Sequence, residues 1–251
     1  MAEKTEVLAV IPARWASSRF PGKVLAPLSG RPVILHVLDR VARADSVDAI
    51  LVATDDDRVA ETVVGAGHQA ALTRPDHPSG SDRIAEALKG RAASIVLNVQ
   101  GDEPLIDPST LDAVISRLRS ADAGAATVAV GERDPHGADD PNVVKVVCDA
   151  LGHAMYFSRA PIPASHPGRA GTDGAWLRHV GVYAWRREEF EAFAAKAPSP
   201  LERREGLEQL RYLESGGRMA VEIVDSASPG VDTPEDLARC EALLAQGGPQ
   251  V

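Results

Sequence analysis

An α/β fold is what this sequence predicts: a mixed, mostly parallel sheet flanked by helices, with a small antiparallel lobe from the second half. Three observations predict it. Residues 7–11, 49–54 and 95–99 are near-continuous apolar runs, the pattern of strands covered on both faces. Between these runs the apolar period is helical, so the order β-α-β-α-β implies parallel strands joined by right-handed crossovers. After residue 125 the pattern changes. Strands at 125–130, 143–148 and 154–157 follow one another, the last two close enough in sequence to pair antiparallel.

Taken in order, the strand at 7–11 is expected to end at Pro12 and to deliver a loop carrying Arg14, Arg19 and Lys23, with Pro21 and Gly22 turning the chain just before Lys23. Pro32 opens a helix with Val33, Ile34, Val37, Leu38 and Val41 on one face and Asp39, Arg40 and Arg43 opposite. The strand at 49–54 runs into Asp55, Asp56 and Asp57, then a helix to Gly65 and a strand at 69–73. In the loop at 74–83, Ser81 is the candidate N-cap of a helix through Ala85 and Leu88. The strand at 95–99 delivers Gln100-Gly-Asp-Glu-Pro104. Asp107 then caps a helix with Pro108 first and Leu111, Val114, Ile115 and Leu118 inward.

In the second half, a strand at 177–185 puts His179, Gly181 and Tyr183 on one face and Val180, Val182 and Ala184 on the other. Ser199-Pro-Leu-Glu202 is a capping box. The helix it starts is expected to run on, with Glu205, Glu208, Gln209 and Tyr212 as a polar stripe and Gly206, Leu207, Leu210 and Leu213 on another face. A strand at 219–224 follows. Thr233 caps the last helix and Pro234 opens it; Asp232 sits just outside that cap, so its side chain need not serve the helix and can reach a metal.

At 251 residues the chain is long enough to be one large α/β domain, or such a domain with a small lobe. With 27 Lys+Arg against 36 Asp+Glu the formal charge is −9, so nothing global attracts nucleic acid or an anionic membrane, and any anion must be held by a local basic cluster. Cys148 and Cys240 match no metal spacing and read as reduced, packing thiols. The first residues are too polar for a signal peptide and no apolar run approaches the ~20 residues of a membrane span, so a soluble, cytoplasmic protein is expected. The absence of Gly-x-Gly-x-x-Gly after Ile11 argues against a nicotinamide oxidoreductase.

Open α/β sheets bind ligands at the carboxyl ends of their strands. Four such ends carry polar residues here: 14–23, 54–57, 74–83 and 100–103. Cations among small residues suit an anionic ligand, and an acidic group facing them is what a metal and phosphate site requires. Each feature also has a plain reading: an exposed, solvated basic loop, a turn-forming Asp102 beside Gly101, a solvated polar helix face.

Several blocks carry a family resemblance: residues 11–23 (Ile-Pro-Ala-Arg-Trp-Ala-Ser-Ser-Arg-Phe-Pro-Gly-Lys), 98–104 (Asn-Val-Gln-Gly-Asp-Glu-Pro), 156–163 (Tyr-Phe-Ser-Arg-Ala-Pro-Ile-Pro), 178–183, 199–202, 207–211 and 230–237. Together, from about residue 7 to 244, they resemble the 3-deoxy-manno-octulosonate (Kdo) cytidylyltransferases. The resemblance implies a Rossmann-like nucleotide-diphospho-sugar transferase fold, a homodimer formed through the region 125–185, magnesium, and the reaction CTP plus Kdo to CMP-Kdo plus diphosphate for lipopolysaccharide biosynthesis. By motif it implies Arg14 and Lys23 on the CTP phosphates with Arg19 nearby, and Ser79, Gly80, Arg83 and Gln100 near cytosine and ribose. It implies Asp102 and Asp232 as magnesium ligands, and Arg159, His179, Tyr183, Glu208 and Gln209 in the part that holds Kdo. Trp15, Ser18, Phe20, Val24 and Ser81 depart conservatively from the family pattern, and the Gly-rich loop 164–175 shares little with it. Two alternatives stand beside this reading: the same transfer to another acidic sugar, such as 8-amino-Kdo or a sialic acid, and a nucleotide-binding dimer without turnover.

Overall fold

The computed structural model describes residues 5–16, 20–164 and 175–246. They gather into two compact units, one made by the residues up to Asp112 with those from Ser228 onward, the other by Ala113–Ala227.

The first unit is built on β1 (Val7–Ala13), whose first five side chains are all buried. Pro12 does not end this strand. The ladder to the neighbouring strand at 95–98 stops at Val10, whereas the ladder on the other side continues to Ala13, so Pro12 sits where its missing N–H costs no bond to the first neighbour. A single 3-10 turn (Lys23–Leu25) and a short hairpin, β2 (Pro27–Leu28) with β3 (Arg31–Pro32), lead into α1 (Val33–Val41). Then come β4 (Ala49–Thr54), α2 (Asp57–Gly65), β5 (Gln69–Leu72), α3 (Gly80–Ala87) and β6 (Ile95–Asn98). Within this unit the strands lie in the order β6-β1-β4-β5, all parallel, as the alternation predicts. Helix α4 (Pro108–Ser120), which begins in this unit and continues into the other, buries the expected residues Leu111, Val114, Ile115 and Leu118.

Two further local expectations in this unit are corrected. Arg40, placed on the solvated face of α1, is buried, as is His36 one turn earlier on the same face. His36 Nε2 donates to the Leu28 carbonyl at 2.9 Å, and burial lowers its pKa and keeps the ring neutral. The cap of α3 is Ser79, two residues before Ser81: its hydroxyl accepts from the Asp82 N–H, while Ser81 is buried in the first turn.

The second unit contains β7 (Ala125–Glu132), α5 (Pro135–Asp139), β8 (Lys145–Cys148), β9 (Ala154–Ser158), β10 (Trp176–Arg186), α6 (Arg187–Ala194), α7 (Pro200–Glu205), α8 (Gln209–Glu214) and β11 (Met219–Val224). The expected β8–β9 pairing is antiparallel, β10 runs antiparallel to both β7 and β8, and β11 lies parallel to β7. The single helix expected after Ser199 is two helices. Its capping box is present, but Gly206 turns left-handed (φ 64°) and donates to the Glu202 carbonyl at 2.7 Å, closing α7. The polar stripe is thereby dismantled. Tyr212 is buried against Trp185, with ring centroids 4.9 Å apart, and donates to Glu189 at 3.0 Å; Gln209 is buried as well.

The chain ends its described course in the first unit with α9 (Pro234–Ala245), opened by the predicted Thr233 cap in a box with Asp236. Cys240 packs there with Leu28, Val33, Leu105 and Val231. Both cysteines are free, and burial pushes each thiol up to about 11, so neither is a thiolate at neutral pH. Among the described residues no helix is long and apolar enough to cross a membrane.

Candidate functional site

The loop after β1 is shaped by one glycine. Gly22 has φ 72°, and a Cβ there would come within 2.7 Å of the Trp15 ring, so both backbone and packing exclude a larger residue. Its N–H donates to the Trp15 carbonyl at 3.0 Å, while the Arg58 guanidinium lies 3.5 Å from the centre of the Trp15 ring. This turn delivers Lys23, which stands at the head of the 3-10 turn with only 12 % of its side chain exposed, not on an open loop as the sequence suggested.

Lys23 meets both predicted carboxylates. Its Nζ donates to Asp102 and, at 2.8 Å, to Asp232 Oδ1. Burial works against its charge, but the two carboxylates outweigh that and hold the ammonium above its ordinary pKa. The backbone fixes the convergence of residues 130 positions apart, because the Val231 N–H donates to the Asp102 carbonyl at 2.7 Å and Val231 is itself fully buried. Gly101 lets the chain before Asp102 lie close against β1, since a Cβ there would sit 3.0 Å from the Pro12 carbonyl oxygen. Among the described residues no group of three or more His, Cys, Asp or Glu side chains is clustered for a metal. Two hard carboxylates sharing one cation do fit magnesium, which takes one or two carboxylates and completes its shell with water and phosphate oxygens.

The other residues expected on the nucleotide side lie in the loops and helix starts that follow β1, β5 and β6. Arg14 is exposed just beyond β1, and Arg19 lies outside the described residues. Ser79 and Gly80 form the start of α3. Arg83 is buried and already committed: it donates to Thr73 Oγ1 at 2.6 Å and to Asp55 Oδ2 at 3.0 Å, bracing the ends of β4 and β5. Gln100 donates through its amide to Asn98 at 3.2 Å.

In the second unit the structure brings His179 and Tyr183 together, with ring centroids 5.4 Å apart, and sets Phe157 edge-on to His179 at 4.9 Å. Arg159 is a clip. Nε donates to the Glu205 carbonyl at 2.7 Å and Nη1 to Pro141 at 2.8 Å, with Gly206 at 3.5 Å from Nη2; its own N–H donates to the Glu205 carboxylate at 3.0 Å. Three of the five N–H bonds of its guanidinium are thus engaged among the described residues. Glu208 precedes α8 at the N-cap position and Gln209 begins it.

Sequence patterns did not single out one member of this group. Lys145 is fully buried, with Nζ donating to the carbonyls of Asp140 (3.0 Å), Val143 (2.7 Å) and Arg159 (2.6 Å). Burial lowers its pKa. The signal was present, because Lys145 interrupts the run Val143-Val-Lys-Val-Val147 at a position facing protein.

Comparison with known proteins places the chain among cytidylyltransferases. The cytidylyltransferase family model matches residues 8–223. A 3-deoxy-manno-octulosonate cytidylyltransferase of Syntrophotalea carbinolica is 47 % identical, covering 95 % of this chain and 98 % of the relative. One from Anaeromyxobacter dehalogenans is 48 % identical over 96 % and 98 %. A solved CMP:2-keto-3-deoxy-manno-octonic acid synthetase complexed with CTP superposes with a TM-score of 0.90 at 39 % identity, covering 97 % of this chain and all of that one. At 17 % identity and a TM-score of 0.63, a 4-diphosphocytidyl-2C-methyl-D-erythritol synthase from Anaerococcus prevotii shares the fold.

Proposed function

From the premise that the chain belongs to the 3-deoxy-manno-octulosonate cytidylyltransferase family, a family of nucleotidyltransferases, we propose how its residues divide the work. The reaction joins CTP and Kdo as CMP-Kdo and releases diphosphate. Its demand is electrostatic: attack of a sugar hydroxyl on the α-phosphorus builds negative charge on phosphate oxygens and on the departing diphosphate. The observation that carries the reading is Lys23 held between Asp102 and Asp232 at the carboxyl edge of a parallel sheet.

Lys23, Arg14 and Arg19 serve the triphosphate. Ser79, Gly80, Arg83 and Gln100 form the nucleoside side, where Arg83 acts by bracing the ends of β4 and β5. Asp102 and Asp232 would hold magnesium, which supplies charge neutralisation and a lowered pKa for the attacking hydroxyl. Lys23, held between the two carboxylates, offers its ammonium to the phosphate oxygens. Its ammonium is protonated throughout the neutral range, because its pKa is raised.

Arg159, His179, Tyr183, Glu208 and Gln209 face the sugar, the guanidinium of Arg159 being suited to its carboxylate. We further propose a homodimer through the antiparallel strands of the second half, where Leu151 and Met155 are exposed, working in the cytoplasm and feeding lipopolysaccharide assembly. Sedimentation at micromolar concentration should give twice the chain mass; monomer mass would reject the dimer.

The test of function is diphosphate release from CTP offered Kdo, 8-amino-Kdo or sialic acid. Release with Kdo far above the other two is expected, and preference for either rival would reassign the sugar. In the same assay Lys23→Ala should lower turnover by ~10²-fold or more. Near-normal turnover by the folded variant would remove Lys23 from the phosphates.

A further inference from the structure

The β10–β7 ladder is broken beside His179. Val180 pairs with Val128 and Tyr183 with Thr127, so β10 spends Gly181 and Val182 where β7 spends nothing. Such a bulge leaves backbone carbonyls without ladder partners, and bulges are common where a strand re-aims a side chain beside a site. The buried Thr127 hydroxyl fills the gap: its oxygen lies 2.7 Å from the Val182 carbonyl, 3.3 Å from the Val180 carbonyl and 3.0 Å from His179 Nε2.

A threonine hydroxyl has one proton to give. A carbonyl cannot donate, so the 2.7 Å contact with Val182 requires that proton to lie between the two oxygens. The Thr127 oxygen can then only accept from the imidazole, and the proton of the ring must sit on Nε2. In the neutral ring this leaves Nδ1 as a bare lone pair. The ring is neutral at physiological pH, since burial pushes its pKa down to about 3.

We propose that Thr127 is a positioning residue that holds His179 as the Nε2–H tautomer, so that Nδ1 accepts a hydrogen bond from a hydroxyl of the sugar substrate. His179 thereby selects a neutral donor and takes no part in binding the sugar's carboxylate. This rests on the placement of His179 in the sugar-binding group. It explains why the strand carries its bulge at this point: Thr127 pins both the freed carbonyl and the ring with one side chain.

The experiment is long-range proton–nitrogen correlation NMR on histidine-labelled protein, with the His179 signals assigned by their loss in His179→Gln, beside steady-state kinetics of Thr127→Val and Thr127→Ser. Wild type and Thr127→Ser should show the Nε2–H pattern and similar kinetics. Thr127→Val, equal in volume but unable to accept, should lose that single tautomer and raise the KM for Kdo by ~10-fold, the worth of one hydrogen bond, with the KM for CTP unchanged. An Nδ1–H tautomer in wild type would overturn the proposal even if no variant folds. So would an unchanged tautomer and Kdo KM in Thr127→Val. If the tautomer responds as expected but neither Thr127→Val nor His179→Gln alters the Kdo KM, the acceptor role is overturned through the placement of His179 itself, with the cytidylyl transfer untouched.

Discussion

Asp102→Asn and Asp232→Asn should each lower turnover by ~10³-fold and each flatten its dependence on magnesium, while the protein remains folded. A loss of that size is about 4 kcal/mol of transition-state stabilisation, in the range for removing one charged group from a preorganised phosphoryl-transfer site. The fold should survive because Asn keeps one oxygen acceptor, and the side chains are 28 % and 48 % exposed, so neither substitution opens the core. Both residues lie against the same Lys23 nitrogen and their backbones are tied through Val231, so they should act as one unit. The double variant should therefore be little worse than the poorer single one. Magnesium titration of wild type and the three variants decides it: simple addition of the two losses, or a wild-type magnesium response in Asp232→Asn, would refute a shared ion.

The largest effect on stability should come from Arg211→Met, at a cost of about 3–5 kcal/mol. Arg211 and Glu202 form a buried two-pronged pair, Nε to Oε2 at 2.7 Å and Nη2 to Oε1 at 2.6 Å, with side chains 4 % and 10 % exposed. Burial alone would raise the Glu202 carboxyl, but the Arg211 fork and the Ser199 N–H outweigh it and hold the pKa below its ordinary value. The pair's contribution is thus present above about pH 4.5 and is lost as pH falls through the lower, folded value. In Arg211→Met the stranded carboxylate prefers to be protonated. The deficit should accordingly be greatest near pH 7.5 and shrink toward pH 4.5, and Glu202→Gln added to Arg211→Met should recover part of it. Urea unfolding at the two pH values tests this; a deficit that grows in acid would contradict the assignment.

Much of this architecture is legible in the amino-acid order alone. β4 falls where a near-continuous apolar run puts it, β11 lies at the expected 219–224, and the Ser199 box and the Thr233 cap start their helices as written, because these signals are local in the chain. The pairing of Asp102 with Asp232 is legible only through the family resemblance, since no local pattern joins residues 130 positions apart. What stays hidden depends on partners distant in sequence. Gly206 reads as one more position in a helical period until the left-handed turn that it makes is seen. Thr127 reads as an ordinary β-branched strand residue, because the bulge opposite it belongs to β10. Arg40 looks solvated by period, yet tertiary cover buries it.

The first unit is assembled from two stretches separated by Ala113–Ala227. On the ribosome this imposes an order of events. The strands β1, β4, β5 and β6 emerge early, but Leu28, Val33 and Leu105 wait for Val231 and Cys240 to complete their cluster, and Lys23 waits for its second carboxylate. A nascent chain halted before residue 228 would therefore carry every strand of the parallel sheet and still lack both the clasp that seals it and the second of the two carboxylates that hold Lys23.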